Sequence, residues 1–252
     1  MKKLFNLVIC LFVGYNGISQ SLVTDRPTQG VSSEVVQRGQ FQIESGLGVE
    51  LHTTGAYGFP TVNRSFTVPT SLFRIGLTDF LEARFVNTLR CHSTQYAGGG
   101  VTPRTWQIDD LQIGAKVRIF KGDGWKPQVG FMSHVIMPVG SDHQNRFGVV
   151  NRLLISQNFK NGLSLGYNFG YDYLGKGWGN LSYTISAGFS VTERIGVYME
   201  AYRLEYFHIP SHADAGFTFL LKDNMQLDYS FGLELAGAMN YQALGFSILF
   251  DK

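Results

Sequence analysis

The sequence predicts an all-β chain: a single transmembrane antiparallel up-and-down β-barrel of about twelve strands, behind an N-terminal signal peptide. Three observations predict it. Apolar residues recur with period two over segments longer than the usual globular strand. Beyond residue 20 no apolar run approaches the roughly 20 residues that a membrane helix needs. Only 16% of the residues are charged, below the roughly 25% typical of soluble domains. The net charge is +2 with no basic block, so no nucleic-acid partner is expected.

The first residues read as an address. Met1-Lys2-Lys3 is a basic start, Leu4 to Val13 is apolar, and Gly17 and Ser19 are small residues before Gln20. That is the layout of a secretory signal peptide over 1–19, and about 10–12 apolar residues are too few for an anchor. A lipoprotein signal at Cys10 would need a small residue where Ile9 stands. Removal of the signal leaves one cysteine, Cys91, which excludes an intramolecular disulfide and a CxxC site.

Residues 20–38 come next, as a periplasmic tail or as a plug folded into the lumen. They include Thr24-Asp25-Arg26-Pro27 and lack strand alternation. An ordered segment at the periplasmic mouth is the favoured reading. The barrel is expected over 39–252.

In Gln40–Leu51 the odd positions Phe41, Ile43, Leu47, Val49 and Leu51 are apolar, against Gln40, Gln42, Glu44 and Glu50 on even ones. Successive strand side chains point to opposite faces, so one face is greasy and the other polar. The split recurs in Leu111–Ile119, Leu163–Tyr171, Tyr183–Val191, Leu227–Leu233 and Leu244–Phe250. Arg152–Phe159 is the exception, since Leu153-Leu154-Ile155 breaks the pattern.

The connections separate a membrane barrel from a soluble sandwich, whose strands alternate too. Long links are expected near 52–63, 90–105, 139–147, 173–180, 203–211 and 235–240. Short ones are expected at 78–80, 121–124, 160–162, 192–194 and 222–224. That rhythm matches outer loops and tight periplasmic turns, with both termini periplasmic. The three-residue turn Thr78-Asp79-Phe80 places Leu77 and Leu81 on the outer face, with Phe73 and Ile75 matching Phe85 and Ala83. The last strand closes on Phe250, an aromatic end of the kind the barrel-insertion machinery reads, although Asp251 and Lys252 follow it.

With the greasy face toward outer-membrane lipid, the polar face must line the lumen. The lumen-lining candidates are Glu44, Arg74, Glu82, Arg84, Asp110, Lys116, Arg118, Glu200 and Asp228, with Glu50 beside them. A midplane Arg or Lys facing lipid costs about 2–4 kcal/mol. These charges are either a paired brace for the wall or a selectivity lining for solutes. Glu44, Arg74, Glu82 and Arg84 form the expected pairing group. Lumen-side glycines such as Gly46, Gly48 and Gly114 either keep a bore open or permit bending.

A family resemblance rests on these segments. Thr24–Pro27, Arg38–Gly46, Arg74–Asp79 with Glu82 and Arg84, Asp110 with Lys116, Met137-Pro138-Val139-Gly140, and Asp228 resemble outer-membrane barrels labelled "transporter" or meta-pathway phenol-degradation proteins. The resemblance implies a barrel in the bacterial outer membrane that passes small, hydrophobic or aromatic solutes. The alternative function is a structural or surface-interaction barrel with a closed lumen.

An enzyme is not expected. Lipolysis would need a Ser beside a His, and His92/Ser93, Ser133/His134 and Ser211/His212 are neighbours whose side chains point to opposite faces. No GxSxG elbow occurs. His208 and His212 flank Pro210 in a loop, so no metal site is expected. Gly175–Gly179 reads as a loop, and no cofactor is expected.

Overall fold

Where side chains alternate and every backbone group must be paired away from water, strands close on one another. The computed structural model describes residues 22–55, 60–139, 146–175, 177–203, 212–235 and 237–251. The expected signal at 1–19 lies outside the described residues, as do His208 and Ser211. Among the described residues no helix is long and apolar enough to cross a membrane. The strands cross instead.

The elements are β1 (Phe41–Thr54), β2 (Thr61–Gly76), β3 (Leu81–Gln95), β4 (Thr105–Ile108), β5 (Leu111–Phe120), β6 (Gln128–Met137), β7 (Gly148–Asn158), β8 (Leu163–Tyr173), β9 (Asn180–Ser190), β10 (Ile195–Arg203), β11 (His212–Lys222), β12 (Met225–Glu234) and β13 (Met239–Phe250). Successive strands pair antiparallel, and β1 closes the sheet on β13 from Phe41↔Phe250 to His52↔Met239. β4 and β5 both pair with β3, at Leu89–His92 and Leu81–Val86. They are one stave broken at Asp109-Asp110, so the barrel has twelve staves.

Large apolar side chains stand exposed on the outer face, among them Leu47, Ile75, Phe85, Leu227, Leu244 and Phe246. In water such a surface would be a liability; against hydrocarbon it is the required face. Phe250, Phe41, Phe73 and Phe85 run as a row of rings across β13, β1, β2 and β3, with centroids 5.8–6.3 Å apart. They form a continuous aromatic row at the end of the barrel that carries the turn 77–81.

The first turn has the expected register. Leu77 N donates to Leu81 O, and Phe73 and Ile75 face Phe85 and Ala83. Other connections differ from expectation. β1 runs to Thr54 and β2 begins at Thr61, so their link is 55–60 rather than 52–63. β3 likewise runs on to Gln95. Backbone pairing continues through polar residues above the apolar band, where alternation no longer marks it. At the short-turn end β5 and β6 are joined by 121–127, longer than the expected 121–124. β7 forms despite its broken pattern, because Leu154 is fully buried on the lumen side while Leu153 faces out.

A second departure lies in β2. The register with β1 and β3 shifts around Val68-Pro69, where Thr67 pairs with Arg90 but Thr70 with Thr88. Proline cannot donate to a ladder, and a bulge is where sheets tolerate it. The extra residue reverses the parity of the strand. Below it even positions such as Arg74 face the lumen; above it odd positions such as Ser65 do.

Candidate functional site: the lumen and the segment within it

Residues 22–40 form no strand, so their backbone groups must find partners elsewhere. The partners are the charged side chains of the lumen wall. Glu44 on β1 accepts from the N–H groups of Asp25 and Arg26, each at 3.0 Å. Glu200 on β10 accepts from Gln29 N at 2.7 Å and Gly30 N at 2.8 Å. Glu82 on β3 accepts from Val36 N at 2.7 Å. The cations serve the carbonyls: Arg74 donates to Val23 O and Glu34 O, and Lys116 to Ser32 O. Asn168 on β8 both donates to and accepts from Val31. The segment is thus held on several sides of the bore without joining the sheet. An unmet backbone group would cost about 1–3 kcal/mol, which is what fixes this path.

One residue of the segment completes a charge cluster. The Asp25 carboxylate lies 2.7 Å from Arg84, 3.4 Å from Lys116 and 3.9 Å from Arg74. Arg74 also meets Glu44 at 2.8 Å and Glu82 at 2.9 Å. Arg84 and Lys116 reach Glu82 at 2.6 and 3.3 Å. All six side chains are buried. The wall alone supplies three cations and two acids; Asp25 balances the set. Burial alone would raise the Asp25 carboxyl, but Arg74, Lys116 and Arg84 outweigh it and hold it well below the usual carboxylate range.

The neighbouring residue turns the other way. Arg26 meets Asp228 on β12 at 3.1 Å. Its guanidinium lies against Gly46 and Gly245, which pair across β1 and β13. A β-carbon at either glycine would collide with it. These glycines give space to the segment instead of holding a bore open. Leu22 and Val36 of the segment pack with Leu220 and Leu249 of the wall.

Glu44, Arg74, Glu82, Arg84, Lys116, Glu200 and Asp228 all contact the segment, and Arg118 lies 3.6 Å from Glu34. Asp110 sits in the break between β4 and β5 and accepts from Val139 N at 3.3 Å. The expected pairing group of Glu44, Arg74, Glu82 and Arg84 is joined by Lys116 and Asp25. Asp25 and Arg26 were readable as a motif, but nothing in their spacing announces which wall charges they meet.

Of the Ser/His neighbours, Ser133 and His134 turn to different partners. Ser133 Oγ meets Asn151 Oδ1 at 2.9 Å, while the buried His134 contacts Arg84 and Gln112. Among the described residues no group of three metal-ligating side chains gathers.

No curated protein matches the chain. Solved structures do. An outer membrane channel from Pseudomonas putida F1 superposes with a TM-score of 0.65 at 11% identity, covering 89% of this chain and 100% of that one. The translocator domain of the autotransporter NalP from Neisseria meningitidis gives 0.50 at 11% identity, with 90% of each chain covered. The KdgM porin gives 0.50 at 8% identity, covering 82% of this chain and 98% of that one. At such identities the likeness is one of fold, and the fold with its apolar outer face places the chain in the bacterial outer membrane. A model of the family described as "Putative MetA-pathway of phenol degradation" matches residues 24–250, and the chain belongs to that family.

Proposed function

We propose that this barrel is an outer-membrane channel for small, hydrophobic or aromatic solutes, closed at rest by its own residues 22–38. The observation that carries the reading is how that segment is held: by wall side chains and not by strand pairing. Hydrogen bonds of this kind exchange singly for water or solute, whereas a β-ladder must break as a unit. A twelve-stranded bore is wider than the side-chain-filled interior of eight strands and narrower than a sixteen-stranded porin. Removing the segment would therefore leave a narrow passage. The aromatic class rests on the description of the family.

In this reading residues 1–19 direct secretion, 20–38 supply the gate, and 39–252 form the barrel, with the last strand engaging the insertion machinery. The chemistry required is passage, so no catalytic group or cofactor enters.

The complete burial of the six-charge cluster favours a second reading, a structural barrel sealed for good. Proteoliposomes separate the two. The channel reading expects saturable entry of a small aromatic such as phenol through the full-length barrel, and faster entry after deletion of residues 22–36. A folded barrel that stays silent with and without the deletion would establish the sealed reading.

A further inference from the structure

Above the segment, on the extracellular side, the lumen retains an unfilled space. We infer that it is a binding subsite for a small hydroxylated solute of about one-ring size, read by Arg90, Ser65 and Glu50. The inference rests on the channel reading and names what that channel selects.

The site is built by register. β1, β2 and β3 align Glu50 with Ser65 and His92 in one row, and His52 with Asn63 and Thr94 in the next. Gly48, Thr67 and Arg90 form the row beneath. Glu50 and His52 share the face of Glu44, because β1 pairs with β13 without interruption. The parity change at Val68-Pro69 is what brings Ser65 and Asn63 to the same side. Without that bulge they would face away from the lumen.

The cavity these residues line has a volume of about 210 Å³. An engineered apolar cavity of about 150 Å³ in another protein accepts benzene, so one ring with a polar substituent fits here. Its walls are polar, unlike that cavity. Two buried atoms in the lining have no hydrogen-bond partner among the described residues: Arg90 Nε and Ser65 Oγ. Buried polar groups are normally paired, and an orphan calls for an explanation. Arg90 is held in place by Asp109 at 2.7 Å, so its guanidinium is oriented while one N–H remains free. Asn63 is engaged by Thr94 at 2.9 Å.

The donor set selects a chemistry. Arg90 Nε donates only, the Glu50 carboxylate accepts only, and the Ser65 hydroxyl does either. A hydroxyl on the solute meets all three, taking a hydrogen bond from Arg90 and giving one to Glu50. A bare hydrocarbon would leave each polar group without a partner. The subsite thus discriminates by oxygen and not by ring.

Isothermal titration of the full-length barrel in detergent tests this, with phenol, cyclohexanol and benzene as probes. Phenol and cyclohexanol should bind, with benzene at least about tenfold weaker, the scale of one hydrogen bond. Arg90→Lys keeps the charge beside Asp109 but removes Nε, and should weaken phenol about tenfold without affecting benzene. Ser65→Ala gives a second, smaller loss and carries the test should R90K not fold. Equal affinity for phenol and benzene, or no loss in either folded variant, overturns the subsite. Solute flux without such binding overturns the subsite and leaves the channel standing; binding without flux does the reverse.

Discussion

Asp25 Oδ2 lies 2.7 Å from Arg84 Nη1, and this contact joins a segment without secondary structure to the wall of a closed sheet. It explains why the lumen is so charged. Wall charges that would be expensive to bury alone become the hydrogen-bonding environment of an irregular chain, and that chain returns the carboxylate that balances them.

Replacing Asp25 with Asn leaves Arg74, Arg84 and Lys116 facing only Glu44 and Glu82. Removing one partner of a buried ionic cluster costs about 3–5 kcal/mol. That loss falls on the seating of the segment, since the strands keep their ladders. Planar-bilayer recordings should show D25N open far more often than the parent barrel, with the folded barrel still migrating as such on heat-modifiability gels.

The depressed Asp25 carboxyl fixes the pH window of that effect. Its contribution is fully present above the unfolded value near 4 and is lost only as pH falls below it toward the lower folded value. The difference in open probability between parent and D25N should therefore stay constant from pH 8 to pH 5 and narrow only below about pH 4. A difference that collapses near pH 6 would show that Asp25 is not held by three cations.

Much of this was legible in the alternation. Phe41 through Leu51 and Leu244 through Phe250 announce strands because one face must meet lipid, and Thr78–Phe80 fixes a register because an odd turn keeps Leu77 and Leu81 outside. The polar ends of β1 to β3 were not legible, because above the membrane pairing no longer requires a greasy face. Leu154 hid β7 because a buried lumen makes an inward leucine acceptable. Most wall charges of the site could be named from parity alone. Their purpose could not, since Asp25 and Arg26 reach them across the bore, and the reversal at Val68-Pro69 conceals Ser65 entirely.

The outward apolar face makes a stability prediction independent of the lumen. Leu244 is 60% exposed and pairs with Leu47 midway along β13. Leu244→Arg places a cation in hydrocarbon and should lower barrel stability in lipid by about 2–4 kcal/mol, read from urea unfolding in vesicles. An unchanged midpoint would mean that this face does not meet the bilayer.

The gate itself can be locked. Ser33 N donates to Ser156 Oγ on β7 at 3.3 Å, so these neighbouring positions are where a cysteine pair would tie the segment to the wall, and the buried Cys91 would first be replaced by Ser. Single-channel current through S33C/S156C should vanish under oxidation and return on adding reductant. The same current in both states would contradict a gate formed by residues 22–38.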